Sequence, residues 1–262
     1  MFSKKSARSN CNMSRYFLMA VLAGTASASA RNADSAESGQ GLEWSITPYL
    51  WAVDTAFDLK LRDEPFDSGV LSFNELVGKT EMAVQAFIEA SSRSGHFSGF
   101  VDVTYLDISD TSRPGPLNTE TDSEQLFLDA AVAYWPAGVG NGFNVFGGLR
   151  YTDLDDDIRI REQGSPEELR IGLQRDFWDA QIGARYRLEI AKQWTLLTRG
   201  DYAFGDSEGI YLLEAVIEYA FGRNDQFGVL FGYRYKKSKF DKDGLEEDYT
   251  HKGPAVGFDF NF

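Results

Sequence analysis

Cysteine is almost missing from this chain of 262 residues: there is one, Cys11. Histidine is nearly as scarce, with two residues, and there are four methionines. A disulfide framework is therefore excluded, and with it a Cys/His metal centre, which needs several such ligands. No run of about 18 apolar residues occurs, which excludes an α-helical membrane span. The longest apolar stretch runs over nine residues, from Tyr16 to Gly24. Basic charge is the minority sign: 26 Lys and Arg stand against 40 Asp and Glu, a net charge of −14 that argues against a nucleic-acid partner. No Gly-rich phosphate loop and no G-x-S-x-G motif is present. What the chain has is 25 glycines and 37 aromatics, namely 20 Phe, 12 Tyr and 5 Trp. Disordered chains are poor in aromatics, and this abundance suits β-structure.

The first 30 residues have the form of a secretory signal peptide. Lys4, Lys5, Arg8 and Arg15 precede the apolar core Tyr16–Ala23, and small residues lead to Ala28-Ser-Ala30. Met13 would give a more ordinary basic segment and is a second candidate start. Cys11 precedes the apolar core, so it is no acylation site and departs with the signal. Loss of the four basic residues takes the net charge from −14 to −18. Residues 31–40 are small and polar, a flexible mature N-terminus, and 41–262 form one domain.

From residue 41 onward apolar and polar residues alternate, the period of half-exposed strands. Phe97, Gly99, Val101, Val103 and Tyr105 interleave with Ser98, Phe100, Asp102 and Thr104; the same pattern returns around Leu128, Ile182, Ala215 and Phe231. Ten strands are predicted, at about 43–60, 81–92, 96–109, 122–135, 143–160, 175–190, 193–204, 210–222, 226–240 and 249–262. Pro48 interrupts the first, since Pro belongs at edges and bulges. Short turns at 93–95, 136–142, 191–192 and 223–225 alternate with longer loops such as 61–80, 110–121, 161–174 and 241–248; the connection at 205–209 is a short exception. Short turns on one rim and long loops on the other predict a closed, antiparallel, up-and-down transmembrane β-barrel of ten strands, with eight as the alternative.

Aromatics on the apolar parity recur eight residues apart: Phe97/Tyr105, Trp178/Tyr186, Trp194/Tyr202, Tyr211/Tyr219 and Phe227/Tyr235. Eight strand residues tilted by about 40° rise roughly 20 Å, close to the apolar band of about 25 Å between aromatic girdles. Soluble sandwich packing has no reason to fix that spacing. The last strand alternates Val256, Phe258, Phe260 and Phe262 with polar or small residues and stops on Phe. Phe258, Phe260 and Phe262 resemble the signal read by the barrel-assembly machinery.

Trp44-Ser-Ile-Thr-Pro-Tyr-Leu-Trp51, the segment Phe100–Ser109, Gly148–Asp155, Gly232-Tyr-Arg-Tyr235 and the closing Gly253-Pro-Ala-Val-Gly-Phe-Asp-Phe260 resemble a family of small, mostly uncharacterised Gram-negative outer-membrane β-barrel proteins. The resemblance implies a fold and a location, the cell outer membrane, but no activity and no cofactor. The partners it implies are outer-membrane lipid, lipopolysaccharide and, during biogenesis, the assembly machinery.

The opposite parity carries charge. Glu89, Asp102, Asp129, Asp179, Glu189, Asp201, Glu214, Glu218 and Asp259 are expected inside, with Arg150, Arg185, Arg187, Arg199, Arg234 and Lys236. Charges in a narrow barrel must pair. Three functions are open: a structural or surface-interaction barrel with a charge-plugged lumen, a narrow channel for small solutes, or a hydrolase at the outer rim. His96, beside a short turn, reads as a girdle residue. The third reading would need His251, expected at the outer start of the last strand near Asp248 and the acidic run Asp153, Asp155, Asp156 and Asp157. Such a rim would be similar to the ten-stranded omptin proteases, yet their paired Asp and Asp-His motifs are not reproduced, nor is the His-x-Ser of lipid A deacylases. The acidic run offers oxygen ligands for Ca²⁺ or Mg²⁺, but its spacing is generic. No metal and no cofactor is expected.

Overall fold

In the computed structural model of the chain, the described residues are 41–61, 64–71, 80–92, 95–112, 117–140, 142–163, 168–242 and 245–262. The signal peptide and flexible segment expected at 1–40 lie outside them. Twelve strands make one antiparallel sheet: β1 Leu42–Trp51, β2 Asp54–Leu61, β3 Glu64–Leu71, β4 Thr80–Ser92, β5 Phe97–Ser112, β6 Leu117–Tyr134, β7 Gly142–Glu162, β8 Glu168–Ala191, β9 Trp194–Gly205, β10 Gly209–Phe221, β11 Phe227–Lys242 and β12 Leu245–Asn261. β1 pairs with β4 on one side and with β12 on the other, so β1 and β4–β12 close into an all-β, ten-stranded barrel. No edge is left in the barrel wall, as closure requires.

The first expected strand, 43–60, is two strands. Trp51 pairs with Ala255 and Asp54 with Lys252, so β1 and β2 run along β12 in one unbroken register, interrupted only at Ala52 and Val53. The break faces Pro254, whose nitrogen has no proton to give the ladder, although its carbonyl accepts from Ala52 N at 2.8 Å. Residues 61–80, read as a loop, contain β3, which pairs with β2 in register Thr55 to Leu71. The other long loops are likewise shorter than expected, because their strands continue: β8 is 24 residues long. That is about 80 Å of strand, against the 9–11 residues that cross a bilayer.

Period two fixes the two faces. Outward residues are apolar and exposed, among them Leu149, Ile182, Leu213, Phe231 and Val132. Aromatics meet in cross-strand pairs: Tyr202–Tyr211 with ring centroids 4.6 Å apart, Trp194–Tyr219 at 4.9 Å and Phe97–Tyr134 at 5.3 Å near strand ends, and Tyr151–Trp178 at 4.6 Å midway along the long strands β7 and β8. Each such pair contributes about 0.5–1.5 kcal/mol beyond its buried area. In the turn between β10 and β11, Asn224 and Asp225 hold φ of 57° and 55°, a region that Asn and Asp tolerate better than most side chains.

Candidate functional site: the barrel interior

The interior is stacked in layers. Its middle layer is built on three arginines. Arg150 on β7 donates from Nε and Nη2 to the two oxygens of Asp129 on β6, at 2.6 and 2.7 Å, and from Nη2 to Asp201 at 3.0 Å. Arg199 on β9 reaches three carboxylates: Asp201 at 2.8 Å, Asp129 at 2.7 Å and Asp102 at 3.0 Å. Arg234 on β11 donates to Asp102 at 2.9 Å, to the Tyr49 hydroxyl at 2.7 Å and to Glu214. The Tyr49 hydroxyl in turn donates to Asp102 at 2.8 Å. Side chains from β1, β5, β6, β7, β9, β10 and β11 thus converge on one plane. Arg150 and Arg199 are 1% and 5% exposed; all three nitrogens of the Arg199 fork meet carboxylates, and Arg150 meets them through Nε and Nη2, so the buried charge is paired, the condition under which it is tolerated.

Toward the short-turn end lies a second layer. Arg185 on β8 is held bidentately by Glu89 on β4, at 2.7 and 3.1 Å. Its guanidinium stacks 4.7 Å from the ring centroid of Phe100 and 5.4 Å from Trp135. Ser98 donates to Glu89 at 2.6 Å and receives Trp135 Nε1–H at 3.0 Å. Phe100, Ala131, Ala133, Trp135 and Phe146 form the apolar packing of this layer. Arg187 meets Glu218 at 3.3 Å. Asp259 accepts from Ser45 and Thr47 at 2.6 Å and from Asn261 at 2.8 Å. Glu189, expected inside, is exposed.

Toward the long-hairpin end the stack becomes aromatic. Lys236 Nζ sits 3.7 Å over the Phe127 ring. His251 is not at a rim: it is packed inside against Tyr249, Trp51 and Phe127, with centroids 6.0, 6.1 and 6.3 Å away. Above it Leu154, Phe177, Ala203, Ile210 and Phe240 make an apolar plug, capped by Arg175 with Glu247 and Asp156. Burial pushes the Glu247 carboxyl above its ordinary range, and Arg175 opposes the shift. Asp179, expected in the charge network, accepts from the Ser207 backbone N–H at 2.9 Å and forms no ion pair among the described residues.

On the exposed β7–β8 hairpin, the hydrogen bond from Arg170 holds Asp157 below the ordinary carboxylate range, against slight burial. Asp155 is shifted upward, by burial and then by Glu124 and its acidic neighbours. No group of three or more His, Cys, Asp or Glu suited to a metal ion exists among the described residues.

The girdle residues fall at the outer surface: Phe97, Trp178, Tyr186, Trp194, Tyr211 and Phe227 are exposed, and Tyr202, Tyr219 and Tyr235 half-buried. Tyr105 is the exception at 7% exposure, its hydroxyl donating to Glu124 at 3.2 Å. His96 is exposed at the short-turn end, with Nδ1 2.7 Å from the Trp135 carbonyl oxygen. Phe258, Phe260 and Phe262 are exposed on the same outer face, and Phe262 exchanges backbone bonds with Trp44, at 2.9 and 3.0 Å, across the β1–β12 seam.

Spaces between the layers are small. Two pockets of about 30 and 40 Å³ border the middle and aromatic layers, and a chamber of about 170 Å³ lies toward the short-turn end.

No family model matches the sequence, and no curated protein matches it. Among solved structures, the barrel is similar to the outer-membrane protease OmpT of Escherichia coli, with TM-score 0.55 and 9% identity over 87% of this chain and 100% of that one. The translocator domain of the autotransporter NalP of Neisseria meningitidis gives TM-score 0.46 and 13% identity, covering 96% of each chain. The attachment invasion locus protein Ail of Yersinia pestis gives 0.39 and 8%, covering 85% and 99%. At such identities the likeness is one of fold, and the fold it shows is the closed antiparallel β-barrel of outer-membrane proteins.

Proposed function

We propose that the chain is an integral outer-membrane β-barrel protein that neither conducts nor catalyses, and that it serves a structural or surface-interaction role through its long hairpins. The signal-like N-terminus, the apolar exterior and the paired aromatics support the location. Lipid and lipopolysaccharide would be its surroundings, and the barrel-assembly machinery its partner in biogenesis. The observation that carries the non-conducting reading is the Arg150–Arg199–Arg234 layer. Side chains of seven strands close that plane, and the pockets of about 30 and 40 Å³ beside it are each about the share of one water molecule. A conducting path needs a continuous file of such spaces. The rim-hydrolase reading loses its base, because His251 lies inside the barrel among aromatic rings.

Single-channel recording of the barrel in a planar bilayer tests this. Conductance at background is expected. Steady unitary currents would replace the plug with the narrow channel.

A further inference from the structure

The chamber of about 170 Å³ is bordered by Arg185, Arg187, Arg199 and Arg234, and the rest of its wall has two characters. Leu197, Val216, Leu230 and Trp135 give it an apolar side; Asp259 and Glu218 give it an acidic one. Its volume is comparable to the roughly 150 Å³ apolar cavity that accommodates one benzene ring.

Charge pairing inside the barrel then decides the sign of an occupant. Glu89 holds Arg185, Glu218 holds Arg187 and Glu214 holds Arg234, while Asp102, Asp129 and Asp201 share the middle arginines. Asp259 lines the same chamber, is 8% exposed, and among the described residues has no cation within 4 Å. Its partners are the neutral donors Ser45, Thr47 and Asn261. Glu218 is next to it across Gly228, where an added Cβ would lie 2.9 Å from Glu218 Oε1 and 3.2 Å from Asp259 Cβ. Two carboxylates therefore stand side by side on one wall, with a single arginine, Arg187, serving the pair. A buried carboxylate without a countercharge is the costliest kind of polar group to keep. The arginines of the chamber are already matched, so an anionic guest would have to displace a carboxylate, whereas a cation adds the missing charge.

From this geometry we infer that the chamber is a binding site for a small organic cation with an apolar body, a ring-sized amine or guanidinium compound. The charged head lies against Asp259 and Glu218, and the body against Leu197, Val216 and Leu230. Arg187, whose side chain is 36% exposed, lies at the open, short-turn end of this wall and marks the side of entry. The inference goes beyond the proposed structural role and does not depend on the conductance result, since the chamber lies on one side of the arginine layer.

Three probes with one body and three charges test it: benzylamine, benzyl alcohol and benzoate. Each is titrated calorimetrically against the barrel purified from cells and held in a lipid nanodisc. Benzylamine is expected to bind at least tenfold more tightly than benzyl alcohol, and benzoate not at all. Asp259→Asn should remove the amine's advantage and leave the alcohol's affinity in place. Should that variant fail to fold, Leu197→Trp, which fills the apolar side, must abolish binding of amine and alcohol alike. Equal affinity for amine and alcohol would reduce the site to an apolar hole and overturn the inference. Tightest binding of benzoate would overturn it by showing that the arginines set the sign, and absence of binding by all three would overturn it outright.

Discussion

Arg199 and Asp102 are 97 positions apart in the chain and meet across the barrel, Nη1 donating to Oδ2 at 3.0 Å. Their strands, β9 and β5, are not neighbours in the sheet, so the contact is a brace through the interior, not a rung of the wall. Arg199 also holds Asp129 and Asp201, which makes it the residue on which most of the layer depends.

Arg199→Ala is accordingly expected to destabilise the barrel by about 3–5 kcal/mol, the cost of stranding buried carboxylates. A water-filled lumen would screen the same pair to about 1 kcal/mol or less. The measurement is the temperature at which the folded, fast-migrating band on unboiled gels converts to the unfolded one. An unchanged conversion temperature would contradict a dry plug.

Gly183 sits inside the same region. A Cβ there would lie 2.4 Å from the Phe146 ring and 2.6 Å from Asp201 Cβ. Gly183→Val should force Phe146 or Asp201 to move, at about 1–3 kcal/mol, the usual cost of overpacking. Gly172, whose Cβ would meet nothing within 4 Å, is the control: Gly172→Val should leave the conversion temperature where it was.

The orientation can be read on cells. With Cys11 replaced by Ser, a cysteine at Gln163 on the β7–β8 hairpin should react with a membrane-impermeant maleimide on intact cells. One at Lys192, in the turn before β9, should react only after lysis. Protease should likewise reach 62–80, 110–121, 161–174 and 241–248 from outside. The reverse pattern would put the short turns on the cell surface and defeat the proposed topology.

Outer-membrane residence is tested by fractionation, with recovery in the soluble periplasm as the contrary result. Deleting Phe262 removes the residue that exchanges two backbone bonds with Trp44. The amount of assembled barrel should fall severalfold while synthesis is unchanged.

Much of the wall could be read from the sequence, because period two and the eight-residue aromatic spacing are properties of single strands. The interior could be read only halfway. Parity puts Arg150, Arg199 and Arg234 on one face, but which carboxylate each one meets depends on how strands stagger and tilt around the closed sheet, and no strand carries that information alone. Arg199 finds Asp102 only because the barrel curls β9 and β5 toward each other. His251 shows the same limit. Its neighbours Trp51 and Phe127 come from β1 and β6, whereas the sequence around it offers only nearby acids. Asp179 has the right parity and still escapes the ion pairs, since the turn after β9 delivers the Ser207 N–H to it first. β3 is not legible as a strand because its sequence, Glu64–Leu71, includes Pro65, Asp67 and Gly69, residues that mark loops when no partner strand is in view.

The single register that β12 keeps with both β1 and β2 has a consequence for the order of biogenesis. A two-stranded hairpin such as β2–β3 is marginal by itself, and its third strand is β12, which follows every other barrel strand in the chain. That hairpin therefore waits for β12 to be placed. Sealing of the barrel and ordering of that hairpin become one event, and resistance of the segment around Asp58 to protease would serve as a clock for the moment at which the barrel shuts.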